Sequence, residues 1–166
     1  MNTKVIIGRN ITTGIVKLAY AHIFEAYTVE GIEGVEPRYS ITIIIPKTDT
    51  ETLKAIDIAI GELKKELKHK GAIRTPMRNG DLERPEEQLY KGCYFINANS
   101  KNKPGIVDSN VNTIVDPIEV KNGCYARVSF NLYGYNSNSN KGIAAGLNNI
   151  QLIQGFPLIS CRNCIY

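Results

Sequence analysis

A strict two-residue alternation of apolar and polar side chains runs through residues 124–135, so two faces can be assigned there. A period of two is typical of a half-buried strand. One face is small and apolar: Cys124, Ala126, Val128, Phe130 and Leu132. The other is aromatic, basic and small polar: Tyr125, Arg127, Ser129, Asn131, Tyr133 and Tyr135. The pattern predicts a strand with an ordinary core side and a tyrosine-rich outer side.

Four more strands are predicted, at residues 14–27, 38–45, 93–98 and 142–152, and the clearest of them is 38–45. In the first of them, one face is assigned to Val16, Leu18, Tyr20, His22 and Phe24. In the second, one side carries Tyr39, Ile41, Ile43 and Ile45, and Pro46 ends the strand. Residues 106–115 are consistent with a short strand or a turn.

One helix is predicted, from a capping box at Thr48–Asp49–Thr50–Glu51 to Gly71. Its apolar positions recur at helical spacing: Leu53, Ile56, Ile60, Leu63 and Leu67. Residues 72–92 are polar and rich in turn formers, and we expect a long loop there. Strands around a single helix, without βαβ alternation, predict a mainly β fold with one inserted helix, an OB-fold-like antiparallel barrel.

The distribution of charge indicates which kind of ligand the tyrosine-rich face could bind. The chain has 166 residues and a net charge of +4, and it contains no Asp or Glu from Lys121 onward. Aromatic rings beside uncompensated positive charge suit single-stranded nucleic acid, because bases stack on the rings and cations meet phosphates. Tyrosine is also favoured in strands for packing alone, so that interpretation of the polar face stays open.

The sequence contains no recognisable catalytic or metal-binding constellation. It has no P-loop, and its two histidines lack a nucleophile motif. Asp108 and Asp116 are separated acids that suit turns better than a two-metal site. Cys161 and Cys164 form a lone C-x-x-C without the second pair that zinc requires, so we expect reduced thiols. We therefore expect a binding protein and not an enzyme, with no cofactor and no metal.

The organisation along the chain is expected to be simple. Residues 1–157 are assigned to one OB-fold-like nucleic-acid-binding domain, and residues 158–166 to a C-terminal tail. No run of about 18 apolar residues and no signal peptide is recognised. We therefore expect no membrane contact and a cytoplasmic location.

Several motifs resemble a phage protein family. They are GIVKLAY at residues 14–20, TPMRNGDLERP at 75–85, YFINANSKNKPGIVD at 94–108 and NGCYARVSFNLYGYNSNSNKGIAAGLNNIQ at 122–151. These stretches are similar to the proteins catalogued as the domain of unknown function DUF2815, now called phage single-stranded-DNA-binding proteins. The resemblance implies an OB-fold related to the T7-type proteins, and a role in coating single strands during phage DNA replication or recombination in the bacterial host cytoplasm.

Candidate site residues follow from the tyrosine-rich strand together with this resemblance. Base stacking is assigned to Tyr125, Tyr133 and Tyr135, with Phe95 extending the platform from a neighbouring strand. Phosphate contacts are assigned to Arg127, Lys101, Lys103 and Lys141, with Arg74 and Arg78 of the long loop as secondary candidates. Besides single-stranded DNA, the partners considered are phage or host replication and recombination proteins, and a homodimer is left open.

An alternative function remains at this point. A phage structural or assembly protein could use the same tyrosines and arginine as a protein interface, since both residue types are enriched in such interfaces. Salt dependence separates the two, because binding to phosphates weakens as salt rises.

Overall fold

The computed structural model describes residues 4–27, 36–67, 73–114, 120, 123–137 and 140–153. The strands in these ranges are β1 (Lys4–Thr12), β2 (Val16–Tyr27), β3 (Arg38–Pro46), β4 (Met77–Asn79), β5 (Cys93–Ser100), β6 (Gly105–Val107), β7 (Tyr125–Ser137) and β8 (Asn140–Leu152). The helices are α1 (Thr50–Leu67), α2 (Gly80–Glu83) and a single 3₁₀ turn, Gln88–Tyr90.

Five of the strands close into a small barrel. Their order is β2–β3–β5–β8–β7, and β7 returns to pair with β2. β1 pairs with residues 129–136 of β7, β4 pairs with β5, and β6 pairs with β8. The pairings of β8 with β5 and with β6 are parallel, so the sheet is mixed and not wholly antiparallel as expected. The mainly β, OB-fold-like barrel with one main helix is confirmed.

Two segments contain secondary structure that the sequence did not predict. The sequence analysis did not predict β1, whose pairing with β7 shifts in register between Ile6 and Arg9. Residues 72–92, predicted to be a loop, contain β4, α2 and the 3₁₀ turn. α2 is capped by Asn79, whose Oδ1 accepts a hydrogen bond from the backbone N–H of Asp81 at 3.1 Å.

The start of α1 is fixed by Asp49 and not by the predicted Thr48. Asp49 Oδ1 accepts a hydrogen bond from the Thr52 backbone N–H at 3.3 Å, and Oδ2 accepts one from the Thr52 hydroxyl at 2.7 Å. The prediction of the cap was therefore wrong by one residue, and aspartate serves equally well there. The Thr52 hydroxyl in turn accepts from the Gly14 backbone N–H at 3.0 Å, which ties the helix to the turn between β1 and β2.

α1 packs its apolar face against the core of the barrel. Four of the apolar residues predicted for its packing face are buried: Ile56, Ile60, Leu63 and Leu67. A Cβ atom placed on Gly134 of β7 would lie 3.3 Å from the Leu67 side chain, so the helix approaches this strand closely. Gly134 shares its face with Leu132 because both are even-numbered strand positions. The helix and the tyrosines therefore lie on opposite faces of β7.

The barrel core consists of the inward residues of every barrel strand. The fully buried ones include Val16, Leu18, Ile41, Ile43, Ile45, Ile96, Ala98, Ala126, Val128, Phe130 and Leu132. Burying one such Leu, Ile or Phe side chain stabilises the fold by roughly 1.5–3 kcal/mol. A second, smaller cluster lies on the outer side of β3 and β5, beneath the 3₁₀ turn: Ala19, Ile44, Tyr90, Cys93 and Phe95.

The predicted face of β2 is correct only as far as Leu18. Tyr20 has a positive φ of 49°, and the pairing with β3 shifts between Ala19 and His22. This irregularity moves Tyr20 and His22 to the solvent side, while Ile23 takes the next buried position. A bulky residue at positive φ is uncommon and costs of order 1–3 kcal/mol, and such residues cluster at functional sites.

Candidate nucleic-acid interface

The two faces of β7 are placed as the alternation predicts. Ala126, Val128, Phe130 and Leu132 are completely buried in the core. The residues between them are exposed or half-buried: Tyr125, Arg127, Ser129, Asn131, Tyr133 and Tyr135. The outer face of this strand is therefore accessible to solvent from Tyr125 to Tyr135.

The three candidate tyrosines do not form one platform. Tyr133 and Tyr135 lie near the hairpin end of β7, where they pair with Ala144 and Gly142 of β8. Tyr125 lies at the other end and pairs with Lys17 of β2. Eight residues of strand separate Tyr133 from Tyr125, which is about 26 Å. Arg127, next to Tyr125 on the same face, pairs with Gln151 and belongs to that distant end.

The hairpin end brings Tyr135 and Arg74 together. The Tyr135 ring lies directly over Gly142, so close that any Cβ atom there would collide with the phenol. Arg74 forms an isolated parallel bridge with the same Gly142, and its carbonyl accepts a hydrogen bond from the Ile143 N–H at 2.8 Å. Arg74 is exposed, and its backbone lies on the side of Gly142 opposite to that of Tyr135, so one strand position separates the two residues.

The strand registers line up a row of outward positions across the barrel. His22 pairs with Ser40, and Ser40 pairs with Asn99. Asn99 pairs with Gly146 across the parallel contact. Gly146 then pairs with Asn131, which pairs in turn with Asn10. Cross-strand partners share a face, and none of these residues is buried. We call this set the cross-barrel row: His22, Ser40, Asn99, Gly146, Asn131 and Asn10.

A second aromatic group, which the sequence analysis missed, borders the β2 end of the row. Tyr20 and Tyr27 are 52% and 49% exposed, respectively. The His22 and Tyr27 rings stack with centroids 4.5 Å apart and planes 20° apart. With Thr42 and Asn97 these rings line a cleft of about 250 Å³. The sequence analysis missed this group because the alternation placed Tyr20 and His22 on the same face as Leu18, which is buried.

Three arginines lie near this group. Arg38 donates a hydrogen bond from Nη1 to Asn99 Oδ1 at 2.9 Å, so it contacts the cross-barrel row directly. Arg78 and Arg84 line a cleft of about 500 Å³ together with Asn97. Arg78 is held there by an ion pair with Glu83, Nη1 to Oε1, at 2.8 Å. The secondary candidate Arg78 is therefore close to the barrel face, and Arg38 and Arg84 are additions that the sequence pattern did not indicate.

The two lysines of the turn after β5 have different surroundings. Lys101 Nζ lies 3.3 Å from Glu36 Oε2, and both side chains are largely exposed. Lys103 Nζ lies 5.8 Å from the centroid of the Phe24 ring, in the range of a cation–π contact. Lys141 pairs through its backbone with Asn136 near the hairpin end, and its side chain lies outside the described part of the structure.

Phe95 does not extend an exposed platform. Its side chain points away from the barrel core, as assumed, but it is only 3% exposed. The Tyr90 ring covers it edge-on, with centroids 4.9 Å apart. Because the segment 80–90 folds over β5, the position that alternation placed in solvent became part of a small second core. The assignment of Phe95 as a stacking residue is therefore corrected.

The segment 80–90, which covers Phe95, is held in place by contacts of Asp81. Asp81 accepts hydrogen bonds from the Gly92 N–H at 2.9 Å and from Lys47 Nζ at 2.7 Å. The Gly92 N–H, followed by Lys47, holds the pKa of Asp81 below its ordinary value. Burial raises the pKa of Tyr90 to about 12 and also raises that of the Cys93 thiol. Cys93 is therefore a buried packing residue of the second cluster.

Among the described residues, neither a cluster of metal ligands nor a membrane-spanning helix is found. Asp108, one of the two acids considered for a metal pair, has Oδ1 occupied by the backbone N–H groups of Asn110 at 2.8 Å and Asn112 at 3.0 Å. In the described ranges, no three His, Cys, Asp or Glu side chains come together as a metal site would need. None of the helices described here is long and apolar enough to cross a membrane. Residues 154–166, with Cys161 and Cys164, lie outside the described part.

Comparison with solved structures shows which known proteins share this fold. A solved structure of the single-stranded DNA-binding protein from bacteriophage Enc34, in complex with ssDNA, is 26% identical, with a TM-score of 0.77 over 86% of this chain and 85% of that one. The single-stranded DNA-binding protein gp2.5 of bacteriophage T7 shares the fold at 15% identity, with a TM-score of 0.63 over 87% of this chain and 91% of that one.

Sequence comparison agrees with the structural similarity. The putative protein p50 of Acyrthosiphon pisum secondary endosymbiont phage 1 is 27% identical over 152 residues, which is 84% of this chain and 80% of that protein. The family model of the Enterobacter phage Enc34 ssDNA-binding protein matches residues 4–163. Since this match spans nearly the whole chain, the protein belongs to the Enc34 ssDNA-binding protein family.

Proposed function

We propose that this protein binds single-stranded DNA along the cross-barrel row, with Tyr133 and Tyr135 stacking bases beside it. Family membership supports the ligand class, and a relative of the same fold was solved with ssDNA bound. The observation that carries the location is the strand register, which aligns six outward positions from β2 to β1. Oligonucleotides bind across the strands of OB-folds in a comparable way.

The length of the row suits a short stretch of DNA. Five steps between neighbouring strands, each about 4.8 Å, give the row a length of about 24 Å along the curved surface of the barrel. OB-folds that bind single strands cover about 4–16 nucleotides, so this span accommodates the lower part of that range. The floor of the row at β8 is low because Gly146 and the neighbouring Ala144 have little or no side chain. A strand can therefore approach the backbone closely there.

Each type of side chain has a distinct task in this proposal. The rings of Tyr133 and Tyr135 stack on bases without regard to sequence, because every base has a π-face. The amides and the hydroxyl of the row hydrogen-bond to bases and sugars. Arg74, Arg38 and Arg78 supply positive charge for the phosphates. Binding is therefore expected without strong sequence preference and with a marked dependence on salt.

In the infected cell, we propose that the protein coats single strands during phage DNA replication or recombination in the bacterial host cytoplasm. Its task is binding, without a catalytic step. The family description, which names a binding function, supports this role. The side chains of the row also support it, since amides, a hydroxyl and an imidazole can hydrogen-bond to bases and sugars.

A titration tests the ligand class. Fluorescence anisotropy is measured with labelled oligo-dT, the matching duplex and RNA at two salt concentrations. Single-stranded DNA should bind far better than duplex, because stacking requires unpaired bases. Affinity should fall with salt, with a slope of about 0.7 for each phosphate contacted. Equal affinity for duplex and single strand would contradict the proposal, and salt-insensitive binding would favour the protein-interface alternative.

A charge substitution tests the location. Asn131→Asp places a negative charge in the row next to its β1 end, where repulsion at about 4 Å from a phosphate amounts to roughly 1–4 kcal/mol. Binding should therefore weaken about fivefold or more. Ala55→Asp is the matched control, because it adds the same charge at an exposed position of α1, on the opposite side of β7. Equal losses in both variants would show that only net charge matters and that the row is not the DNA path.

A further inference from the structure

A polar cleft of about 650 Å³ opens on the barrel beside the β1 end of the cross-barrel row. It is lined by Asn10, Thr12, Ser100, Asn102, Lys103, Ser129, Leu147, Asn148 and Asn149. Four of these nine residues are asparagines. The cleft lies away from Tyr133 and Tyr135, and the proposed stacking sites do not account for it.

A β-bulge between β7 and β8 builds one wall of the cleft. Ser129 pairs with Asn149, whereas the next residue, Phe130, pairs with Leu147. Asn148 is thus the extra residue on β8. Leu147 is buried, but Asn148 and Asn149 are both accessible, so the bulge presents two consecutive amides to the same side. Regular alternation would have turned one of them inward.

The amide groups of the cleft are available to a ligand. Within the described ranges, the side chains of Asn10, Asn148 and Asn149 make no hydrogen bond to the protein. Each amide offers two donor hydrogens and a carbonyl acceptor. The residues that line the cleft, all in the described part of the chain, include one cation, Lys103, and no acid. This combination fits a neutral polar group attached to an anion, as in a nucleotide.

The position of the cleft connects it to the proposed DNA path. Asn10 belongs both to the cleft and to the cross-barrel row. Thr12 and Asn149 flank Ser129 on the two neighbouring strands, one step further along β7. A strand that follows the row to β1 therefore arrives at the cleft with its next nucleotide.

We propose that this cleft takes one unstacked base of the bound single strand and holds it by the base's hydrogen-bonding edge. The inference rests on the proposed function and adds a second mode of recognition to it. An asparagine amide can donate and accept at once, so any of the four bases can be satisfied. The cleft therefore requires a polar base edge without selecting one base, whereas the tyrosines require only a flat ring. Lys103 meets the adjoining phosphate.

A nonpolar base analogue separates the two modes. In a minimal oligo-dT, each thymine in turn is replaced by 2,4-difluorotoluene, which keeps the shape and the stacking surface but hydrogen-bonds poorly. Affinity should fall about three- to tenfold at one or two adjacent positions and stay unchanged elsewhere. In Asn148→Ala this position-specific loss should disappear, because the partner of the base edge is gone. Asn110→Ala, at an exposed turn outside the cleft, is the matched control and should keep the loss.

Each outcome has a defined meaning. Tight binding of oligo-dT without any position-specific effect of the analogue would overturn this inference and leave the proposed function standing. No binding of unmodified oligo-dT would overturn both. Should Asn148→Ala melt at a markedly lower temperature, Asn10→Ala on the opposite wall provides the same measurement. A loss that persists in both variants would place the recognition of the base edge elsewhere.

Discussion

Replacing Tyr133 by alanine tests where on β7 the DNA lies. Tyr133 is two residues from Asn131 of the cross-barrel row, about 7 Å along the strand, and its cross-strand neighbour is the small Ala144. Loss of one stacked base costs on the order of 1–3 kcal/mol, which corresponds to a dissociation constant about 5- to 150-fold higher. Because the ring is on the outer face, opposite the core, the variant should remain folded.

Two further variants test whether stacking at this position accounts for the loss of affinity in Tyr133→Ala. Tyr133→Phe keeps the ring and should bind within about twofold of the original protein, since stacking does not need the hydroxyl. Tyr125→Ala removes the same group from the same face of the same strand, but about 26 Å away. It should therefore change the affinity by less than about twofold, although the sequence pattern alone treats both tyrosines as equivalent.

The assay is fluorescence anisotropy with labelled oligo-dT at two salt concentrations, and thermal melting by circular dichroism checks the fold. The reasoning fails if Tyr125→Ala weakens binding as much as Tyr133→Ala, since the path would then follow β7 and not cross it. It fails also if the phenylalanine variant is as weak as the alanine variant, because stacking would then not be the interaction.

Three further changes address neighbouring parts of the face. Glu83→Gln frees Arg78 from its exposed ion pair and should tighten DNA binding by up to about fivefold in the same titration. Gly146→Val would bring a Cβ atom to 2.5 Å from Asn131 Oδ1; the amide can turn away, so melting should change little while binding weakens because the floor of the row rises. The pKa of Asp81 is lowered in the folded protein, so Asp81 stabilises the fold fully above its unfolded pKa near 3.8. This contribution is lost as pH falls through the pKa of the folded state. Asp81→Asn should therefore remove that part of the acid dependence of the melting temperature.

The sequence was sufficient to predict β7 because nothing interrupts its alternation between Tyr125 and Tyr135. All four even-numbered apolar residues from Ala126 to Leu132 are buried as expected. The helical period of α1 was equally clear, and its buried face was predicted correctly. In both elements the environment repeats with the period of the side chains, so local pattern and tertiary structure agree.

The remaining parts depended on information that no local pattern contains. A positive φ at Tyr20 reverses the faces of β2 after Leu18, and the alternation of the letters does not reveal it. Phe95 faces outward as its position suggests, but residues from a segment predicted to be a loop bury it. The length of that segment was visible in the sequence, but its docking on β5 was not. The face on which a strand residue lies can therefore be predicted from the local sequence. Whether a distant segment buries that residue cannot.

The alignment of the cross-barrel row is itself a product of irregular pairing. Because side chains alternate with a period of two, a slip of one residue exchanges the two faces of a strand. The pairing of β1 shifts just before Asn10, that of β2 just before His22, and that of β7 with β8 just before Asn131. Bulges are over-represented beside binding sites because they re-aim side chains. Three irregularities that each precede a member of the row are therefore the means by which a barrel with a continuous core also presents a continuous polar path on its surface.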